Sequence, residues 1–194
     1  MKILNRFILL IGLLFRTSQL LAQETVNKGD IIIHISTLAP SVSLGFDYMD
    51  IYKRGAKAEI VYRKYNSLNF SDVRTDTAYT NLNVETKYKY PKKLKQIFDR
   101  HTTYDTTNVV LNLATDTVYN KILQMITQST KQELETSIIG LRNYLDGFSL
   151  MCEIITYTEK KNISIETPMP DTHPIVSYLL DESYKRLFKK TYPK

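Results

Sequence analysis

The chain has 194 residues, which is enough for one domain with a hydrophobic core of ordinary size. Its formal net charge is +6, but residues 1–22 contribute Lys2, Arg6 and Arg16 and no acidic residue. Removing those three from the 26 basic residues leaves 23 against 20 acidic ones, a net charge of +3. So small a charge does not favour a nucleic-acid partner. Cys152 is the single cysteine, so an intramolecular disulfide is excluded.

The N-terminal segment is typical of an export signal. Its basic start is followed by an apolar run, FILLIGLLF at 7–15, and Ala22 offers a small residue at a cleavage position. Nine apolar residues are too few to span a bilayer, which takes about 20. We therefore predict that residues 1–22 are a signal peptide cleaved after Ala22 or Gln23. The mature protein is expected to be periplasmic or secreted, with no membrane span.

Residues 23–194 are predicted to form a single domain that opens with a flexible lead-in at 23–30. The following IIIHI segment alternates as a strand, with the odd-numbered isoleucines on one face and Ile32 and His34 on the other. Residues 41–65 predict a hairpin with one polar face, because apolar and polar residues alternate on both sides of a turn at Gly55. This alternation groups Tyr48 with the apolar face.

The middle of the chain predicts two helices and one strand. Residues 66–85 are polar and lack a period, which indicates a long loop, or a loop with one weak strand around Thr77–Leu82. Pro91 opens a short helix whose apolar side is Leu94, Ile97 and Phe98. A strand at 108–113 precedes a helix at 117–128 that Thr115 or Asp116 can cap. Its predicted inward residues are Val118, Ile122, Met125 and Ile126.

The C-terminal part predicts a strand hairpin followed by an amphipathic helix. Residues 148–158 are apolar on both faces, which indicates a central strand covered on both sides. A polar turn at 159–162 leads to a strand with Ile163 and Ile165 inward. The helix is expected over 174–190, with Asp171 or Thr172 as its cap. Its apolar stripe consists of Val176, Leu179, Leu180, Tyr184, Leu187 and Phe188.

These elements together predict the α+β class. The expected architecture is an antiparallel or mixed β-sheet with the C-terminal amphipathic helix packed on one face and the second helix, near 117–128, beside it.

The sequence carries no recognisable catalytic, metal or cofactor motif. Its three histidines, His34, His101 and His173, form no HxH or HxxxH pair, and no CxxC, GxSxG or glycine-rich phosphate loop is present. His173 is expected to be exposed in the first turn of the last helix, and Cys152 to act as a small buried apolar residue. We therefore predict no metal, no cofactor and no catalytic residue.

One basic and aromatic segment is predicted to bind a partner. Lysines alternate with tyrosines there, a pattern that can hold an anionic ligand while rings stack on it. In an exported protein the expected partner is an acidic glycan, or an envelope or secreted protein, for which tyrosine-rich surfaces are suited. The predicted binding residues are Lys87, Tyr88, Lys89, Tyr90, Lys92, Lys93 and Lys95.

The sequence thus favours a non-enzymatic binding or inhibitory protein of the cell envelope. Two alternatives stay open. One is a small envelope hydrolase that uses His173 or paired carboxylates, for which Asp47 with Asp50 and Asp72 with Asp76 are candidates. The other is a structural accessory subunit of an envelope assembly, which predicts a large exposed apolar patch.

Overall fold

A computed structural model describes residues 26–38, 46–82, 91–137 and 149–188 of the chain, and these residues contain six strands and six helices. The strands are β1 (Ile31–Leu38), β2 (Asp47–Arg54), β3 (Lys57–Leu68), β4 (Thr102–Asn112), β5 (Ser149–Thr156) and β6 (Lys160–Glu166). The helices are α1 (Phe70–Thr75), α2 (Thr77–Thr80), α3 (Pro91–Arg100), α4 (Thr117–Gln128), α5 (Lys131–Glu135) and α6 (Pro174–Phe188). No described helix is long and apolar enough to cross a membrane.

The strands form one antiparallel sheet in the order β4-β3-β2-β1-β5-β6. β1 lies between β2 and β5, so that Ile33 of β1 is opposite Ile51 on one side and Ile154 on the other. This double pairing joins the N-terminal strands β1 to β4 to the later hairpin of β5 and β6. The predicted α+β class, with an antiparallel sheet and a C-terminal helix packed on it, is confirmed.

One face of the sheet, called the core face below, is apolar and is covered by α4 and α6. Ile33, Ile51 and Ile60 at its centre have no exposed surface. Fully burying a side chain of this size contributes about 1.5–3 kcal/mol, so this face supplies most of the stabilising burial. Its other strand residues are Ile31, Ile35, Met49, Ala58, Tyr62, Val109, Leu111, Leu150, Cys152, Ile154, Ile163 and Ile165.

The second face, called the polar face below, is formed by the alternate residues of the same strands. As predicted, β1 turns Ile32 and His34 to this side. Tyr48 also lies here, so the expectation that it faces the core is wrong, because the residues of β2 that face the core are Met49 and Ile51. The same face of the sheet also carries Ser36, Asp50, Tyr52, Arg63, Met151, Glu153, Asn162 and Ser164.

β5 was expected to be covered on both faces, and this is wrong for its polar-face side. Leu150, Cys152 and Ile154 are buried on the core face, but Met151 is 46% exposed and Tyr157 is 66% exposed. Lys160 and Lys161, predicted to lie in a turn, instead begin β6. Ile163 and Ile165 point inward as predicted.

The two covering helices differ in how well their inward faces were predicted. In α6, Val176, Leu179, Leu180 and Leu187 are buried, which confirms the stripe, although Phe188 remains 44% exposed. In α4 the inward face is rotated from the predicted one, with the side chains of Val118 and Met125 exposed. Its buried residues are Tyr119, Ile122, Leu123 and Ile126.

Residues 70–80 contain two short helices, where a long loop or a loop with one weak strand was expected, and residues 83–85 of that predicted loop lie outside the described residues. Asn69 caps α1 by accepting hydrogen bonds from the amides of Ser71 and Asp72, and Asp76 caps α2 by accepting one from Ala78. Val73 of α1 packs with Ile97 of α3 in a small second core beside the end of β3. The prediction of α3, with Ile97 on its apolar side, is confirmed.

An ion pair joins the first turn of α4 to the last turns of α6. Arg186 donates two hydrogen bonds to Asp116, the N-cap of α4, at 2.6 and 2.7 Å. The same guanidinium donates to Glu182 and lies 4.8 Å from the ring centre of Tyr119. The Tyr119 hydroxyl is 2.7 Å from Ser183 Oγ, so a buried hydrogen bond lies directly beneath the ion pair.

This ion pair predicts a loss of stability in acid. Hydrogen bonds from Arg186 lower the pKa of Asp116, although burial partly opposes this shift. At Glu182 burial acts to raise the pKa, but the hydrogen bonds from Lys185 and Arg186 together outweigh it, so this pKa is also lowered. A carboxylate whose pKa is lower in the folded state contributes stability above its unfolded pKa and loses it as the pH falls through the folded value. The free energy of unfolding should therefore drop below about pH 4.

The matched test compares Asp116→Asn with Asp181→Asn in urea unfolding at pH 7, 4 and 3. Asparagine still caps α4 but cannot pair with Arg186 as an anion, whereas Asp181 is an exposed residue of α6. Asp116→Asn should be less stable at pH 7 and show a flatter acid profile than the wild type. An unchanged acid profile in Asp116→Asn would contradict this role of the ion pair.

Candidate functional site

A network of charged side chains occupies the middle of the polar face. His34 and Asp50 are directly opposite each other on β1 and β2, with His34 Nδ1 2.7 Å from Asp50 Oδ1. Arg63 of β3 donates to the other oxygen, Asp50 Oδ2, at 2.6 Å. The Asp50 side chain is only 10% exposed, and a carboxylate removed from water to this extent requires charged or hydrogen-bonding neighbours. The network therefore fixes all three side chains.

Tyr48 connects this network to helix α3. The guanidinium of Arg63 lies 5.2 Å from the centre of the Tyr48 ring, and the Tyr48 hydroxyl donates to Asp99 of α3 at 3.2 Å. Tyr104 of β4 packs edge-on against the same ring at 5.7 Å. Burial, together with the nearby Asp99 carboxylate, raises the pKa of Tyr48 to about 12. Tyr48 is therefore a neutral hydrogen-bond donor at physiological pH.

A groove of about 480 Å³ lies on the polar face over β1, β5 and β6. Met151 is exposed within it, and Glu153 lies opposite His34 across the strand pair. Lys160 is 2.7 Å from Glu153, and Lys131 and Glu135 of α5 form the rim beyond β6. The lining combines apolar and ring surface with acidic, basic and amide groups. Its other polar lining residues are Ser36, Tyr48, Asn162 and Ser164.

The structure describes only part of the predicted basic and aromatic segment. Residues Lys87, Tyr88, Lys89 and Tyr90 lie outside the described residues, and Lys92 and Lys95 lie in α3 without described side chains. Lys93 is exposed on α3 and lines a second cavity of about 750 Å³ with Gln96, Asp99 and Arg100. The cavity shares Asp99 with the contact to Tyr48, so Lys93 lies beside the polar face.

Sequence reasoning missed the site around His34, Asp50 and Arg63. His34 was placed on the correct face, but Asp50 was weighed only as a partner of Asp47 and Arg63 was not singled out. In the structure Asp47 instead accepts from the Tyr62 hydroxyl at 2.8 Å. The signal that could have found the site is the turn at Gly55, because it fixes which residues of β2 and β3 lie side by side.

His173 is buried, so its expected exposure is wrong. Only 9% of the residue is exposed, its Nε2 lies 3.2 Å from the main-chain oxygen of Glu135, and its Nδ1 lies 3.1 Å from Thr172 Oγ1. A carbonyl oxygen can only accept, so Nε2 carries a proton and donates to the main chain of Glu135, while Nδ1 contacts the Thr172 hydroxyl, which also donates to the main-chain oxygen of Met169. His173 therefore joins α5 to the start of α6 and has no nitrogen left for a substrate.

His34, unlike His173, is oriented by a carboxylate in the way that general bases are. A carboxylate only accepts hydrogen bonds, so Asp50 holds the proton of neutral His34 on Nδ1 and leaves the lone pair on Nε2. This is the orientation of a general base supported by a carboxylate. No group of three or more His, Cys, Asp or Glu side chains within the described residues is arranged to hold a metal ion.

Comparison of the chain with known proteins identifies no relative. Neither the protein-family models, nor the curated proteins, nor the solved structures give a match to this chain. The interpretation of the site therefore depends on its residues and geometry.

Cys152 is buried on the core face, as predicted, and it should be chemically inert in the folded protein. Burial, with a smaller contribution from Glu153, raises the pKa of the thiol to about 12, so the reactive thiolate is scarce at neutral pH. We expect no reaction with an aromatic disulfide reagent at pH 8 until urea unfolds the protein. Rapid labelling of the folded wild type would show that this part of the core opens.

Proposed function

We propose that the protein is an exported, non-enzymatic binding protein of the cell envelope that takes an acidic partner, a glycan or a protein, on its polar face. The N-terminal signal-like segment supports export. The composition of the polar face supports binding, because it combines tyrosine rings, an arginine and lysines in fixed positions.

The observation that carries this proposal is the continuity of the surface through Tyr48. Arg63 stacks on its ring, and its hydroxyl binds Asp99 of α3. The groove and the helix that bears Lys93 are therefore held together by side-chain contacts. A ligand that spans the groove and this helix would meet ring surface and positive charge in a fixed geometry, which lowers the entropy lost on binding.

The groove itself suits a small polar part of such a ligand. Its volume of about 480 Å³ falls in the range of about 300–1,000 Å³ that ligand sites occupy. Nε of Arg63 is buried and has no acceptor among the described residues, although the other nitrogens of this side chain anchor it to Asp50. Because this nitrogen is inaccessible, an acidic group of the ligand would meet the exposed part of the Arg63 side chain, which is 42% exposed beside the groove.

Charge reversal on α3 tests the proposal. Lys93→Glu should weaken binding to a partner about five- to tenfold, equivalent to about 1–1.4 kcal/mol, because the attraction of the partner to α3 becomes repulsion. The probes are an immobilised uronic-acid polysaccharide, an uncharged polysaccharide of similar length, and envelope proteins captured and identified with the wild type. Lys121→Glu is the matched control, since Lys121 is exposed on α4, on the core-face side.

Four results are informative. Binding to the acidic polysaccharide alone identifies a glycan partner, and capture of an acidic envelope protein that Lys93→Glu loses identifies a protein partner. The proposal is overturned if the wild type binds none of the probes. It is overturned equally if Lys121→Glu weakens binding as much as Lys93→Glu does.

The orientation of His34 by Asp50 favours one second candidate, a small hydrolase that uses His34 as a general base. Such a base contributes about 10²- to 10⁴-fold to the rate. Under the binding proposal we expect no turnover of a panel of esters, amides and glycosides. Turnover that is lost in His34→Gln would replace it with the hydrolase.

The control for this test is His101→Gln. His101 also pairs with a carboxylate, Asp76, at 2.8 Å, but it lies just before β4 and does not line the groove. Hydrogen bonding from His101 lowers the pKa of Asp76, so this carboxylate is ionised at neutral pH. Equal loss of turnover in both variants would reflect damage to folding and would count against catalysis by His34.

A further inference from the structure

The two edges of the sheet are built differently. The β6 edge is short, carries Lys160 and Lys161, and is partly covered by α5, whose Glu135 accepts the Ser164 amide hydrogen bond at 3.0 Å. Charge and a covering element are ordinary means of preventing an edge strand from pairing with another chain. The β4 edge carries no lysine, and among the described residues no element covers it in this way.

β4 has the character of a strand that pairs. It is 11 residues long, about twice the mean strand length of about 5–6, and its sequence TTYDTTNVVLN contains no lysine, arginine, proline or glycine. Its one charged side chain is Asp105, and Val110 is 62% exposed on the polar face. Within the described residues its single strand neighbour is β3. In an edge strand, every second residue directs its main-chain N–H and C=O groups to the unpaired side, where another strand can bind them.

We infer that β4 is a dimerisation edge that pairs antiparallel with β4 of a second copy of this chain. The middle residue of the strand is Thr107. A two-fold axis at Thr107 brings all 11 residues of each copy into register and keeps both core faces on the same side of a continuous twelve-stranded sheet. An isologous contact of this kind closes as a dimer and does not propagate.

The side chains agree with this register. Tyr104 of each copy falls opposite Val110 of the other, an aromatic and β-branched pair of the type that stabilises antiparallel sheets. Each copy's exposed Val110 is thereby covered by Tyr104 of the other copy. Thr106 falls opposite Asn108, which places two hydrogen-bonding side chains together.

The charges also agree with a second copy as the occupant. With the axis at Thr107, Asp105 faces Val109 of the other copy, and the two Asp105 carboxylates are about 14 Å apart. This distance exceeds the Debye length of about 8 Å at physiological ionic strength, so their repulsion is largely screened. When β4 pairs with β4 of a second copy, no two charges of the same sign are therefore directly opposite each other.

Disulfide trapping tests the register. Directly opposite residues in an antiparallel pair have Cα atoms about 4.5–5.5 Å apart, which suits a disulfide, so Thr107→Cys should form a covalent dimer on mild oxidation. Val110→Cys is the control, because the two Val110 positions would be about 20 Å apart. The buried Cys152 does not take part.

Sedimentation tests the dimer without a covalent link. The wild type should sediment as a dimer at micromolar concentration, and Val110→Lys should be monomeric with an unchanged circular dichroism spectrum. Val118→Lys is the matched control, since Val118 is 46% exposed on α4, and it should remain dimeric. A monomeric wild type at about 100 μM, or equal cross-linking of the Thr107→Cys and Val110→Cys variants, would overturn the inference.

Discussion

The contact between Arg186 and Asp116 holds the two helices that cover the core face. Asp116 follows β4 within four residues, caps α4, and accepts both hydrogen bonds from Arg186. One carboxylate therefore sets where α4 begins and where the end of α6 lies. Removing one partner of a fully buried ion pair costs about 3–5 kcal/mol, and less for this partly exposed pair. No intramolecular disulfide can share this role, because the chain has one cysteine.

Two further polar residues close the other end of the core. Lys161 belongs to the inward face of β6, yet it is only 9% exposed, and its Nζ donates to the main-chain oxygens of Thr127 and Ser129. Carbonyl groups at the C-terminal end of a helix lack intrahelical partners, so this lysine completes the end of α4. His173 does the same for the carbonyl of Glu135 in α5. The margin of the core is thus sealed by side chains bound to main-chain groups.

The sequence predicted the elements whose pattern is set by one apolar face. The alternation of β1, the inward pair Ile163 and Ile165, and the stripe of α6 were correct, because each buries one side against a single layer. Prediction failed where a polar contact overrides this pattern. Tyr48 is apolar enough to be grouped inward, but Asp99 and Arg63 hold it on the polar face. The inward face of α4 includes Tyr119 because Ser183 and Arg186 engage its polar and ring surfaces.

The candidate site could be predicted only in part, because it depends on pairing across strands. The turn at Gly55 implies that Arg63 lies beside Tyr48 and one pair away from Asp50, but the place of β1 next to β2 is not written in local sequence. Helices α1 and α2 were missed for another reason. Their caps, Asn69 and Asp76, resemble ordinary loop residues until the following segment is known to pack on α3.

The proposed site and the proposed dimer edge are linked by geometry. Pairing at β4 about Thr107 leaves the polar faces of both copies on one side of the extended sheet. The two grooves and the two α3 helices would then be presented in the same direction. A ligand with repeating acidic groups could engage both copies, and the second contact would form at high effective concentration. Modest affinity at each groove would then suffice for tight binding of a polymer, whereas a small monomeric ligand would gain nothing from the second copy.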